Sequence, residues 1–88
     1  MKVVLSGTLQ RYADYRREHD VPAATLGEGL SELVERLPNL SPVLYDDDGS
    51  VRSTHAIFVN GEQVVGSDLQ RPVNNWDEVE IITALAGG

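Results

Sequence analysis

The sequence of 88 residues contains no cysteine and one residue each of lysine, methionine, tryptophan and phenylalanine. Without cysteine there is no disulfide framework, no thiolate zinc site and no cysteine nucleophile. With Lys2 as its one lysine, the chain offers a single position for lysine-linked branching. No apolar run approaches the ~20 residues of a helical membrane span. No cationic leader followed by an apolar stretch and a small-residue cleavage site opens the sequence, so a cytoplasmic location is expected. Basic residues are also scarce, at seven against fourteen acidic ones, for a formal net charge of -7. This balance disfavours nucleic-acid backbones, which call for clustered Lys and Arg. It favours a partner with a basic surface, drawn in by electrostatic steering. Neither nucleic acid nor membrane is an expected partner.

What is present reads as one small globular domain. Hydrophobic residues make up 41% and charged residues 24%, a composition that argues against disorder. Lys2-Val3-Val4-Leu5 is a short β-branched run and predicts a strand. Leu9 to Asp20 reads as a loop or irregular turn, leading to a second strand near Arg17 to Ala23 that Pro22 confines to an edge or an end. Thr25 and Glu28 match a helix capping box, and Leu26, Leu30, Leu33, Val34 and Leu37 follow on one 3.6-residue stripe. Gly27 and Gly29 weaken its first turn, and Pro38 ends it.

The stretch from Asn39 to Thr54 is turn-rich. Asp46-Asp47-Asp48-Gly49-Ser50 lacks the alternating ligands and distal Glu of a calcium loop and predicts a solvated turn. Two β-rich runs then flank Asn60-Gly61, the strongest short hairpin signal. The last strand is predicted over Glu78 to Thr83, with Val79 and Ile81 on one side and Glu80 and Ile82 on the other. The order strand, strand, helix, hairpin, strand predicts an α+β fold: a mixed sheet of four to five strands crossed by one main helix. Residues 1–83 form the expected domain and 84–88 a flexible tail.

Leu5, Leu30, Leu33, Leu37, Ile57, Val59, Val79 and Ile81 are expected in the core, with Trp76 and Tyr45 capping its edge. For Tyr12 and Tyr15 two readings stand, contact with a partner and packing within their loop, and the second is the expectation. His19 and His55 lack neighbouring carboxylates at ligand spacing, so no metal site is expected.

The chain closes on Gly87-Gly88, at the end of the short tail that follows the last strand. Beyond Leu85 this tail has no side chain larger than a methyl group, which suits passage through a narrow channel. Its functional group is the Gly88 carboxylate, ionised at neutral pH and a poor electrophile until activated, for instance by adenylation.

Three segments carry a family resemblance: Thr25-Leu26-Gly27-Glu28-Gly29-Leu30, Phe58-Val59-Asn60-Gly61-Glu62, and Asp77-Glu78-Val79-Glu80-Ile81-Ile82 closing on Ala86-Gly87-Gly88. In order and spacing the chain resembles the ubiquitin-like β-grasp sulfur carriers of the MoaD/ThiS family. It departs from them in having Thr83-Ala84-Leu85 where a proline often precedes the small residues, and Asn75-Trp76-Asp77 in place of Asp-Gly-Asp.

The resemblance implies a cosubstrate, not an enzyme. An activating enzyme similar to the ubiquitin-activating family would adenylate Gly88. A sulfur donor would displace AMP, and the resulting thiocarboxylate would deliver sulfur to a metabolite inside a partner synthase. No cofactor would be held permanently, ATP being used by the activating partner. Gly88 would be the reactive terminus and Gly87 a steric requirement of the channel. Ala84, Leu85 and Ala86 would line the tail's path into a partner, and Ile82 would belong to an apolar partner patch. The length exceeds that of typical thiamine carriers and suits the molybdopterin or cysteine-pathway groups better, with thiamine and specialised-metabolite pathways also open. Two other roles remain open as well: a protein modifier joined through Gly88, and a passive β-grasp binding module.

Overall fold

The computed structural model describes residues 1–65 and 68–83. Five strands form one mixed sheet: β1 Lys2–Leu5, β2 Glu18–Asp20, β3 His55–Val59, β4 Glu62–Val64 and β5 Glu78–Thr83, in the spatial order β2-β1-β5-β3-β4. The first and last strands lie side by side and parallel at its centre, with Lys2 opposite Glu78 and Leu5 opposite Ile81. All other neighbours are antiparallel. This is the ubiquitin-like β-grasp arrangement.

Helix α2, Leu26–Arg36, covers one face of the sheet. Its capping box forms as expected: Thr25 Oγ1 accepts from Glu28 N at 3.2 Å, and Glu28 Oε2 accepts from Thr25 N at 3.1 Å. Leu26, Leu30 and Leu33 are buried against Val3, Leu5, Ile57, Val59, Val79 and Ile81, and these residues carry the core. Leu37 is half-buried at its margin. Gly29 has a packing reason to be glycine. A Cβ there would stand 2.6 Å from Met1 Sδ and 3.2 Å from Ala23 Cβ.

The hairpin turn forms at Asn60-Gly61, with φ of 52° and 85°, the left-handed pair that a two-residue turn requires. Asp46 to Ser50 is a tight turn, closed by Asp46 N to Ser50 O at 2.7 Å and by the flanking Tyr45–Val51 bridge.

The structure differs from the sequence reading in the segments around the main helix and in one turn. The segment after β1 opens with a short helical turn, α1 Gly7–Gln10, whose Leu9 is buried. The second strand is shorter than expected, ending at Asp20. Between Pro38 and Leu44 the chain forms a 3-10 turn, Pro38–Leu40, and then helix α3, Ser41–Leu44, which bury Leu40 and Leu44. Trp76 does not cap the core. It is 86% exposed in the turn before β5, because Asn74 Oδ1 accepts from Trp76 N and Asp77 Oδ2 from Asn74 N, closing the turn on its polar side chains. Tyr45 does pack against the core edge. Burial pushes its phenol pKa up, against a smaller downward pull from a hydrogen bond with Ser31.

Candidate functional site: the tail root and the outer sheet face

Strand β5 ends at Thr83, the last described residue, and this end of the fold is fastened by long-range bonds. Because β1 and β5 run parallel, the chain leaves β1 at the same end of the sheet at which the tail leaves β5. Ser6 uses that proximity twice. Its N–H donates to Ile81 O at 3.1 Å, and its Oγ accepts from Thr83 N at 3.2 Å.

On the other flank His55 stands opposite Thr83. Its Nε2 lies 2.7 Å from Val43 O, and a carbonyl can only accept, so Nε2 carries the proton. In the neutral ring Nδ1 is then free to accept from Thr83 Oγ1, 3.1 Å away. Two side chains, 77 and 28 positions removed from Thr83, therefore hold the root of the tail. Sequence reasoning missed both roles, since no local motif links Ser6 or His55 to the last strand.

Ile82 falls on the sheet face away from α2, as the strand alternation predicts. It is 36% exposed and pairs across to Ala56. In the next row of the same face Phe58 faces Glu80, and Glu80 faces Val4. Ala56 and Phe58 are half-buried and Val4 is buried, so a small apolar strip lies toward the tail end. Glu78, Asp20 and Glu18 lie on the remainder of that face, with Lys2 among them and paired to Glu18 at 3.4 Å. The strip thus has an acidic border.

Ala84, Leu85, Ala86, Gly87 and Gly88 lie outside the described residues. The expected packing of Tyr12 and Tyr15 within their loop is not found. Tyr15 is 75% exposed and Tyr12 40%. Asp14 and Tyr15 both adopt left-handed backbone, φ 56° and 58°, which turns the loop so that these rings face solvent. Such geometry costs about 1–3 kcal/mol per non-glycine residue. His19 and His55 serve separate structural roles, His19 Nε2 bonding Arg16 O at 3.0 Å. Among the described residues no three His, Asp or Glu side chains gather at metal-binding distance, and no helix is long and apolar enough to cross a membrane.

The profile of the ThiS family matches residues 3–88. The chain belongs to the ThiS family. This places it among the ubiquitin-like sulfur carriers and modifiers. No curated protein sequence matches it.

Among solved structures, the small archaeal modifier protein SAMP1 of Haloferax volcanii is similar at 27% identity and a TM-score of 0.88, over 100% of this chain and 98% of that one. CysO of Amycolatopsis orientalis, in its complex with BexX, is 22% identical with a TM-score of 0.86, over 99% of this chain and 98% of its own. CysO of Mycobacterium tuberculosis is 24% identical with a TM-score of 0.83, over 96% and 98%. At these last two identities the likeness is one of fold.

Proposed function

We propose that this ThiS-family protein is a sulfur carrier charged at Gly88. The observation that carries the reading is the family match running through to residue 88, combined with a β5 end held by hydrogen bonds from Ser6 and His55, from which Ala84-Leu85-Ala86 lead to Gly87-Gly88. A fastened root and a tail with no side chain larger than a methyl group beyond Leu85 suit insertion into a partner's active site, since a fastened root leaves fewer conformations to lose on binding.

The chemistry follows from the carboxylate. A Gly88 oxygen attacks the α-phosphate of ATP on an activating enzyme and pyrophosphate leaves. Hydrosulfide attacks the acyl carbon and AMP leaves, giving a thiocarboxylate. Its sulfur attacks an electrophilic carbon of the acceptor metabolite in a synthase, and the leaving group on that carbon departs with the electron pair of the broken bond. Water then hydrolyses the resulting thioester, leaving sulfur on the product and regenerating the carboxylate. The chain is a cosubstrate throughout. Ala84, Leu85 and Ala86 line the path of entry, and Ile82 with the apolar strip meets the partner's surface. That the CysO of Amycolatopsis orientalis is found in complex with BexX supports the expectation that such carriers dock on partner enzymes.

The similarity to a small archaeal modifier protein supports a second reading, in which the same adenylate is attacked by a target lysine to give an isopeptide.

One experiment separates them. The chain is incubated with ATP, an activating enzyme competent on another carrier, and sulfide, and then treated with a thiol-selective alkylating reagent. Because cysteine is absent, any adduct marks new sulfur. Cleavage after Glu80 releases Ile81 to Gly88, which contains neither Met nor Trp to imitate a sulfur gain by oxidation. One adduct on that peptide, lost without ATP or on deletion of Gly88, is the expected result. No adduct, with a Gly88-dependent ladder on other proteins, would replace the carrier by the modifier. Function intact after removal of Gly87 and Gly88 would end both readings.

A further inference from the structure

Seven basic side chains serve the whole chain, and their distribution is uneven. Lys2, Arg36, Arg52 and Arg71 are each paired with a carboxylate, on Glu18, Glu32, Asp46 and Glu62. The other three, Arg11, Arg16 and Arg17, all stand on the loop between α1 and β2, all are exposed, and none has an ion pair among the described residues. The same loop presents Tyr12 and Tyr15 to solvent. Asp14 is the one acid between Arg11 and Arg17, and Glu18 beyond them is engaged by Lys2.

The loop is built rather than slack. Gln10 O accepts from Tyr15 N at 2.8 Å, Ala13 O from Arg16 N at 3.0 Å and Arg17 O from Leu5 N at 2.8 Å, while Ala13 is fully buried beneath it. It also adjoins the tail root: Tyr12 lines one surface depression with Thr8, Val43, His55 and Thr83.

We infer that residues 11–17 are a second docking surface, which receives an acidic, carboxylate-bearing segment of the protein that takes up the tail. Three guanidiniums with no ion pair among the described residues offer fork-shaped donors that fit carboxylates two bonds at a time. Two exposed phenol rings beside them supply the amphipathic contact area typical of binding hot spots. A nucleic acid would meet the same arginines, but it would also meet the field of a chain carrying -7, and that field repels an extended polyanion. A short acidic protein segment, approaching only the loop, avoids most of that field. The inference rests on the carrier reading only in naming the tail's recipient as the partner.

The test uses the full chain, isotope-labelled for NMR, at low ionic strength. The probes are a capped twelve-residue peptide of Glu, Asp and Leu and a single-stranded DNA of twelve nucleotides. The peptide is expected to give saturable shifts at residues 11–17 and at Thr83. Arg11→Glu with Arg17→Glu should weaken this binding about tenfold. Arg71→Glu, at the far end of the sheet beside Glu62, should change it less than about twofold. The inference is overturned by an absence of saturable shifts in the loop, by equal binding of the double variant, by equal loss in Arg71→Glu, or by tighter binding of the DNA. Thermal melts of each variant check the fold. If the peptide binds the loop while the chain never gains sulfur, the carrier reading fails and the docking surface stands.

Discussion

Replacing Ile82 by aspartate tests whether the outer strip is a docking surface, and its effect on stability can be worked out first. Ile82 is 36% exposed, so about two-thirds of its side chain is already covered, against Ala56 and its neighbours on that face. Full burial of an isoleucine is worth about 1.5–3 kcal/mol, which makes the loss here about 1–2 kcal/mol. The poor strand propensity of Asp adds up to about 1 kcal/mol. A domain of this size has roughly 5–13 kcal/mol in hand, so Ile82→Asp folds, with a melting temperature lowered by roughly 4–24 °C. The adjacent residue supplies the contrast. Ile81 is fully buried, and Ile81→Asp would place an unpaired carboxylate in the core at a cost above about 4 kcal/mol. Docking on the strip would cover the exposed third of Ile82, and the variant would instead have to desolvate a charge. A penalty of about 1.4 kcal/mol or more follows, so the KM for ATP-dependent charging should rise at least about tenfold. The assay is pyrophosphate release by the activating enzyme over a range of carrier concentration, at a temperature where circular dichroism shows the variant folded. A KM equal to that of the unaltered chain, alongside the expected drop in melting temperature, would refute the docking argument while leaving the burial arithmetic intact.

Two further outcomes follow from the fold. Gly29→Ala should destabilise by up to about 2 kcal/mol in chemical denaturation although alanine is the better helix former, because displacing the buried Met1 side chain and crowding Ala23 Cβ outweigh a propensity gain of about 1 kcal/mol. A stabilised variant would mean that the Met1 side chain yields freely. Asp77 sits between Asn60 Nδ2 and Asn74 N, both 2.9 Å away, and the Asn60 side chain foremost, then the Asn74 amide, hold its pKa below the ordinary value of 3.8. With the folded pKa depressed, its contribution is complete above the unfolded value and is lost as pH falls through the folded one. Stability measured below about pH 4 should therefore fall less steeply in Asp77→Asn than in the unaltered chain, and equal slopes would count against the network.

The parts of the fold legible in sequence are those fixed by local chemistry. Thr25 with Glu28, Asn60 with Gly61, and the alternation from Val79 to Ile82 each state their geometry within a few residues. Helices α1 and α3 are too short to show a period, so Gly7–Gln10 and Ser41–Leu44 read as loop even though Leu9 and Leu44 are buried. The exposure of Trp76 and Tyr15 is set by turns closed through side-chain bonds and left-handed backbone, which an aromatic letter does not announce. At the site, the tail motif is written at one end of the chain. The groups that hold its root, Ser6 and His55, become neighbours of Thr83 only through the sheet.

The central position of β5 has a mechanical consequence. The strand is bonded on both sides along its length, to β1 from Glu78 to Ile81 and to β3 from Val79 to Thr83. A pull on the chain beyond Thr83 acts along the strand axis. It loads these two ladders together in shear and cannot peel them one bond at a time. A partner that draws the tail into a deep channel can therefore pull against the whole sheet, and the force ends in the core beneath α2 without opening an edge.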